Sequence, residues 1–170
     1  MSDQVEEKTM FLYVGAYEDE TTANEDLEAL KALYKEGWVG SYDAGIVVKE
    51  EGKLNVKRST DSTGKGTRRG LAVGAVLGVI FPPSVIVSGV VGATAGRVIG
   101  KHMNGISKDD MKEIGEFLEE NEAALVVIGE LKIEEMVNKA AKQALKQYKK
   151  EFNADVKEYN KEIDAAISEL

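Results

Sequence analysis

Apolar and polar positions alternate along the first sixty residues in a pattern typical of a compact α+β fold. Residues 10–17 (MFLYVGAY) are apolar on both faces of an extended chain, which predicts a buried strand. Apolar residues then recur at helical spacing over residues 23–34, between a capping threonine (Thr21 or Thr22) and Gly37. Two further extended segments flank residues 50–53, which predicts a β-hairpin.

The same kind of pattern returns after a glycine-rich stretch. Residues 107–110 (SKDD) predict a capping box at the start of a helix, and residues 123–128 (AALVVI) predict a second buried strand. The resulting order of elements, βαββαβ, is that of the ferredoxin-like split motif. We therefore predict an α+β fold in which residues 1–61 and 106–129 form a ferredoxin-like domain, with an insertion over residues 62–105.

The insertion has the pattern of a glycine-zipper helical hairpin. Small residues recur every four positions along two arms: Gly70, Gly74 and Gly78, then Ser88, Gly92, Gly96 and Gly100. Phe81, Pro82 and Pro83 separate the arms as a tip, because proline ends a helix. Glycine inside a helix costs about 1 kcal/mol relative to alanine, and close helix packing through the small residues would offset that cost.

The length of the arms leaves three environments open for the hairpin. An arm of roughly 13 residues is about 20 Å long at ~1.5 Å per residue. A bilayer core of ~30 Å needs about 20 residues per helix, so neither arm spans it. The hairpin would therefore enter one leaflet, pack against the hairpins of other subunits, or be buried within its own monomer.

Charge is segregated along the chain. The net charge is −8, yet residues 62–108 carry six basic side chains and no acidic one. Four of the basic residues, here called the basic collar, lie at the base of the hairpin: Arg68, Arg69, Arg97 and Lys101. The collar suits anionic lipid headgroups, or alternatively the acidic segments of the chain on either side. The overall negative charge argues against nucleic-acid binding.

Taken in order, these features resemble a prokaryotic family of unknown function, described as predicted membrane proteins and related to glycine-zipper general-stress proteins. The resemblance rests on residues 11–17, residues 61–66 leading into the glycine series, and residues 124–128. It covers about residues 10–130. It implies membrane association and a stress-related role, and it transfers no catalytic residue to this chain.

After Ile133 the apolar residues recur ten times over 37 residues, or every 3.7 residues, which predicts a single amphipathic helix over residues 130–170. At ~1.5 Å per residue it would be about 57 Å long, too long to be buried on a small domain. We therefore predict a tail interface with a second subunit; partial docking on its own domain is the alternative. The interface residues would be Ile133, Val137, Tyr148, Phe152, Tyr159 and Ile163.

The residue types present exclude several kinds of chemistry. The chain has no cysteine and one histidine, His102, which excludes thiolate metal sites, thiol nucleophiles and sites with two imidazoles. Residues 62–67 (STGKGT) depart from the P-loop pattern at two positions, and Asp109, Asp110 and Glu113 lack the spacing of an EF-hand. We predict no catalytic residue, no metal and no cofactor.

The sequence thus favours a non-enzymatic, self-associating protein in which the hairpin and the tail helix build a homo-oligomer. We expect a cytoplasmic protein, because the polar residues 1–9 lack the basic region of a signal peptide. The alternative is a re-entrant or peripheral membrane protein, anchored by the hairpin and held on an anionic membrane surface by the basic collar.

Overall fold

The computed structural model of the chain describes residues 7–38, 40–61, 71–81, 83–87 and 105–155, together with positions 157, 158, 161, 164 and 165. Within these residues, five strands form one antiparallel sheet in the order β3-β2-β4-β1-β5. The strands are β1 (Glu7–Tyr17), β2 (Tyr42–Glu50), β3 (Lys53–Asp61), β4 (Ala123–Glu130) and β5 (Lys146–Asp155). The described helices are α1 (Glu20–Lys35), α2 (Leu71–Ile80), α3 (Lys108–Glu120) and α4 (Glu134–Ala140). The prediction of an α+β fold is confirmed.

A separate hydrophobic core lies on each face of the sheet. On the first, here called the α1 face, α1 and α4 pack over residues such as Phe11 and Tyr13. On the opposite face, the α2 face, α2 and α3 pack over residues such as Leu12 and Val14. Successive residues of a strand point to opposite faces. The apolar run in β1 is therefore buried on both sides, as predicted.

The cover on both faces separates this fold from a ferredoxin-like domain. The predicted order βαββαβ is present from β1 to β4. A ferredoxin-like domain, however, packs its helices on one face of a four-stranded sheet, as is usual for α+β folds. Here the helices cover both faces, β4 lies between β1 and β2, and a fifth strand lies beside β1. The ferredoxin-like topology is not confirmed.

The helix predicted over residues 130–170 is wrong. The chain instead forms a 3₁₀ turn (Leu131–Ile133), the short helix α4 and then β5. β5 pairs with β1 along its whole length, from Lys146 opposite Ala16 to Asp155 opposite Glu7. The ladder along an otherwise open edge of β1 outweighs the helix propensity of the Ala, Lys and Gln residues here. Beyond Asp155, the described positions are helical.

The helix starts were predicted with mixed success. The backbone N–H of Thr22 donates to Oδ1 of Asp19 at 2.8 Å, so Asp19 caps α1 and the predicted threonine cap is wrong. At the start of α3, Ser107 and Asp110 form the predicted capping box, with each side chain bonded to the other residue's backbone N–H. Aspartate in place of glutamate is long enough for this exchange.

Candidate functional site

The first arm of the predicted hairpin is α2, and it packs on the sheet of its own chain. Val73, Val76 and Leu77 are fully buried in the core of the α2 face. Gly45 on β2 allows this close approach, since a Cβ atom there would lie 3.2 Å from Cγ2 of Val73. For this arm, the structure therefore shows burial within the monomer, one of the three environments considered above.

The glycine stripe and the tip are described only in part. Gly74 is buried and Gly78 is half-buried in α2. Phe81 is buried, and after the 3₁₀ turn at Pro83–Val85 the N–H of Val87 donates to the carbonyl oxygen of Leu54 in β3 at 2.9 Å. The tip is thus attached to the β3 edge of the sheet. The remaining hairpin and collar residues lie outside the described residues: Gly70, Pro82, Ser88, Gly92, Gly96, Gly100, Arg68, Arg69, Arg97 and Lys101.

A shallow groove separates α2 from α3. A cavity of about 360 Å³ there is lined by the apolar Ile80, Phe81 and Met111 and by the charged Lys112, Glu116 and Glu119. No group of three or more metal-ligating side chains occurs in the described part of the chain, which includes Asp109, Asp110 and Glu113. The groove offers apolar surface and charges of both signs, and its lining holds no reactive group of side chains.

The tail interface was predicted on residues that lie in the two cores of the monomer. Ile133 and Val137 are buried on the α1 face, and Tyr148 and Phe152 are buried on the α2 face. The prediction is wrong for these four residues, because α4 and β5 turn their apolar side chains onto the chain's own sheet. Tyr159 and Ile163 lie outside the described residues.

The tail instead supplies an open sheet edge. In the described part of the chain β5 pairs with β1 alone, so its other side presents unpaired backbone N–H and C=O groups. We call this surface, residues 146–154, the β5 edge. Its side chains on the α1 face are exposed and polar: Gln147, Lys149, Glu151 and Asn153.

On the α2 face of the β5 edge, lysines are paired with acids of α3. Nζ of Lys146 lies 3.2 Å from Oε2 of Glu120, and Nζ of Lys150 lies 3.5 Å from Oδ2 of Asp110. Hydrogen bonds from the backbone and side chain of Ser107, and then the charge of Lys150, lower the pKa of Asp110. Asp110 therefore stays ionised at neutral pH and offsets the charge of Lys150.

A buried polar network lies on the α1 face, away from both surfaces. The hydroxyl of Tyr17 donates to Oδ2 of Asp26 at 2.9 Å, and the hydroxyl of Tyr13 lies 3.3 Å from that of Tyr17. The backbone N–H of Gln143 also donates to Oδ2 of Asp26, at 3.0 Å. The network ties β1 and α1 to the loop before β5, and it leaves Asp26 only 3% exposed.

Burial raises the pKa of these tyrosines above the ordinary tyrosine value. Desolvation is the largest cause of the raised pKa of Tyr13, about 12, and the nearby charge of Asp26 raises it further. Desolvation and then the neighbouring Tyr13 raise the pKa of Tyr17. Desolvation likewise raises the pKa of Tyr148 on the other face. Three of the six tyrosines are therefore held neutral by the folded state.

We expect the protein to lose stability steeply above about pH 10. The unfolded chain releases tyrosine protons near pH 10, whereas Tyr13, Tyr17 and Tyr148 release theirs at higher pH when folded. Their contribution is thus fully present below pH ~10 and falls by about 1.4 kcal/mol per pH unit per tyrosine as the pH rises towards the folded pKa. Urea midpoints at increasing pH, followed alongside tyrosinate absorbance, measure this loss. If all six tyrosines ionised near pH 10 without unfolding, the burial described here would be contradicted.

Sequence reasoning missed the β5 edge and the buried network, although both leave a signal. Tyr148, Phe152 and Ala154 are spaced by even numbers of residues, and every odd position from 147 to 153 is polar, which places the three on one face of a strand. Asp26 lies within the apolar stripe of α1, between Ala23 and Leu30, where a carboxylate needs a buried partner.

Comparison with known proteins finds one family. The family described as "protein of unknown function (DUF1269)" matches residues 67–162, which include α2, α3, α4, β4 and β5. No curated protein and no solved structure has a significant match to the chain. Among the described helices, none combines the length and apolar character needed to cross a membrane.

Proposed function

The chain belongs to the DUF1269 family of proteins of unknown function, and we propose that it is a non-enzymatic protein that works as a homo-oligomer. The observation that supports this proposal is the β5 edge: β5 is a ten-residue strand, and its outer side is unpaired in the described part of the chain. A long open edge is a template for pairing with another chain unless it is covered or blocked.

The proposal keeps self-association but moves it to a different surface of the tail. Tyr148 and Phe152 stabilise the monomer's own core, so they are not available to a neighbouring subunit. The backbone groups along the outer side of the same strand have no strand partner in the described part of the chain. Strand addition needs no apolar patch, because main-chain hydrogen bonds supply the affinity.

A role of the glycine hairpin in self-association stays a prediction, and the structure changes which variant tests it best. Because Gly74 is buried in α2, leucine there would disturb the α2 face of the monomer as well as any assembly. Gly96 lies on the predicted second arm, so Gly96→Leu is the better variant. A change in oligomer mass in the Gly96→Leu protein, with unchanged circular dichroism, would assign a role to that arm.

Light scattering coupled to size exclusion in detergent-free buffer tests the proposal. We expect a particle with a mass that is a multiple of the 18.5 kDa chain, and dissociation on dilution. An 18.5 kDa monomer at every concentration would contradict the proposal. Protein that stays in solution only with detergent would favour the alternative function, a membrane protein anchored by the hairpin and its basic collar.

A further inference from the structure

We propose that two copies of the chain pair antiparallel along the β5 edge, about a two-fold axis at Lys150, to form one ten-stranded sheet. This inference rests on the proposed function, since it names the surface through which the protein self-associates. The partner is a second copy, because the order of side chains along β5 makes the strand complementary to itself.

Symmetry restricts how two β5 edges can meet. A two-fold axis that relates neighbouring antiparallel strands is perpendicular to the sheet, so each face of one sheet continues into the same face of the other. β5 has no register shift along β1, so its residues alternate regularly between the two faces. Directly opposite residues must therefore share a face. This requires one residue of β5 to lie opposite its own copy, with the axis midway between the two. Near the middle of the strand that residue is Lys149, Lys150 or Glu151.

The axis at Lys150 brings complementary side chains together. On the α1 face, Lys149 lies opposite Glu151 of the partner subunit, and Gln147 lies opposite Asn153 of the partner subunit. Each of these pairs occurs twice. The four side chains involved are exposed in the monomer, so they need no rearrangement of the core to meet. Cross-strand pairs of opposite charge stabilise a sheet, and like charges in that position destabilise it.

The other two registers are poorer. An axis at Glu151 sets two Glu151 carboxylates against each other and pairs Lys149 with an amide. An axis at Lys149 sets two Lys149 ammonium groups together on the α1 face and pairs Tyr148 with Lys150. The axis at Lys150 also sets the two Lys150 ammonium groups opposite each other on the α2 face. Their repulsion is offset in each copy, because Oδ2 of Asp110 lies 3.5 Å from Nζ of Lys150.

The hydrogen bond that Lys149 already makes is compatible with this pairing. Nζ of Lys149 donates to Oδ1 of Asn138 in its own chain. An ammonium group has three donors, so a contact with the partner can be added to this one. Pairing over residues 146–154 would add about eight to ten backbone hydrogen bonds, since every second residue of each strand directs its N–H and C=O outward.

Charge reversal tests the register. Lys149→Glu and Glu151→Lys each place two like-charged pairs across the axis, so each should raise the dimer dissociation constant about tenfold or more. The double variant Lys149→Glu/Glu151→Lys restores opposite charges, keeps the net charge of −8 and should recover dimerisation. Sedimentation equilibrium at low salt measures the dimer dissociation constants of the wild type and of the three variants. Equal loss of affinity in the single and double variants would overturn the register.

Cross-linking tests the axis directly, because the chain has no cysteine of its own. In the Lys150→Cys variant the two thiols face each other across the axis, with Cα atoms about 4.5–5.5 Å apart, which suits a disulfide. Lys146→Cys is the matched control: this lysine is on the same face and is also paired with an acid of α3. In the dimer its two copies would be about 27 Å apart at ~3.4 Å per residue.

Mild oxidation should therefore convert the Lys150→Cys protein into a covalent dimer and leave the Lys146→Cys protein uncrosslinked. Equal cross-linking of both, or of neither while the wild type is oligomeric, would overturn pairing at Lys150 and leave self-association intact. A monomeric wild type by light scattering would instead remove the proposed function. The two failures are therefore distinguishable.

Discussion

Gly129→Ala is expected to destabilise the protein by about 3 kcal/mol, a large effect for a single added methyl group. Gly129 lies in β4, opposite Phe11 of β1 and Tyr42 of β2. A Cβ atom there would lie 2.9 Å from Cα of Tyr42 and 2.7 Å from Cδ1 of Ile133. Overpacking costs about 1–3 kcal/mol, and this contact belongs at the upper end because the backbone of β2 cannot withdraw without breaking its ladder to β4.

Thermal and urea unfolding measure this loss, which corresponds to a fall in the melting midpoint of about 6–12 °C for a chain of this size. Gly115→Ala is the matched control in α3, where the added Cβ would make ordinary contact with Cγ2 of Ile80 at 3.8 Å. Alanine should raise stability there by up to about 1 kcal/mol through helix propensity. A Gly129→Ala protein as stable as the wild type would contradict the close packing of β2 on β4.

The sheet is largely predictable from sequence because four of its five strands have strong local signals. Residues 10–17 and 123–128 are apolar on both faces, which is expected only of strands covered on both sides. These runs became β1 and β4, which, like β2, lie between further strands and contribute to the cores on both faces of the sheet. The same observation argues against a ferredoxin-like domain, because that arrangement leaves one face of the sheet without helices.

The segment after β4 could not be predicted in this way because its pattern suits two periods at once. Ala144, Tyr148 and Phe152 are separated by four residues, which is close to one helical turn and is also two full repeats of a strand. Helix-forming residues around them favour the helix locally. The deciding interaction is non-local: the edge of β1, more than 130 residues earlier in the chain, accepts β5.

The candidate surface was misplaced for the same reason. A helix would present Tyr148 and Phe152 to a second subunit, whereas a strand directs them into the monomer and leaves its backbone edge and polar side chains outside. Self-association therefore remains the proposal, while the interacting groups change from apolar side chains to backbone amides and the charges of Lys149 and Glu151. Assembly should therefore weaken as the salt concentration rises, because salt screens the attraction between exposed charges.

Asp26→Ala is expected to destabilise the monomer by about 3 kcal/mol. The substitution leaves the hydroxyl of Tyr17 without its acceptor inside the core, and it frees the backbone N–H of Gln143 from the same oxygen. An unsatisfied buried donor costs about 1–3 kcal/mol, and the Gln143 N–H adds a smaller cost because it is only partly buried. Urea unfolding of the purified protein measures the difference.

Glu25→Ala is the control for this site, because Glu25 is the preceding residue and its carboxylate also accepts from Gln143, through the side-chain amide, yet it is exposed. Its loss should cost no more than about 0.5 kcal/mol. Combining Asp26→Ala with Tyr17→Phe, which removes the stranded hydroxyl, should cost clearly less than the sum of the two single changes, by about 0.5–3 kcal/mol. Additive costs would mean that the bond between Tyr17 and Asp26 does not stabilise the folded chain, and that the burial of Asp26 has another cause.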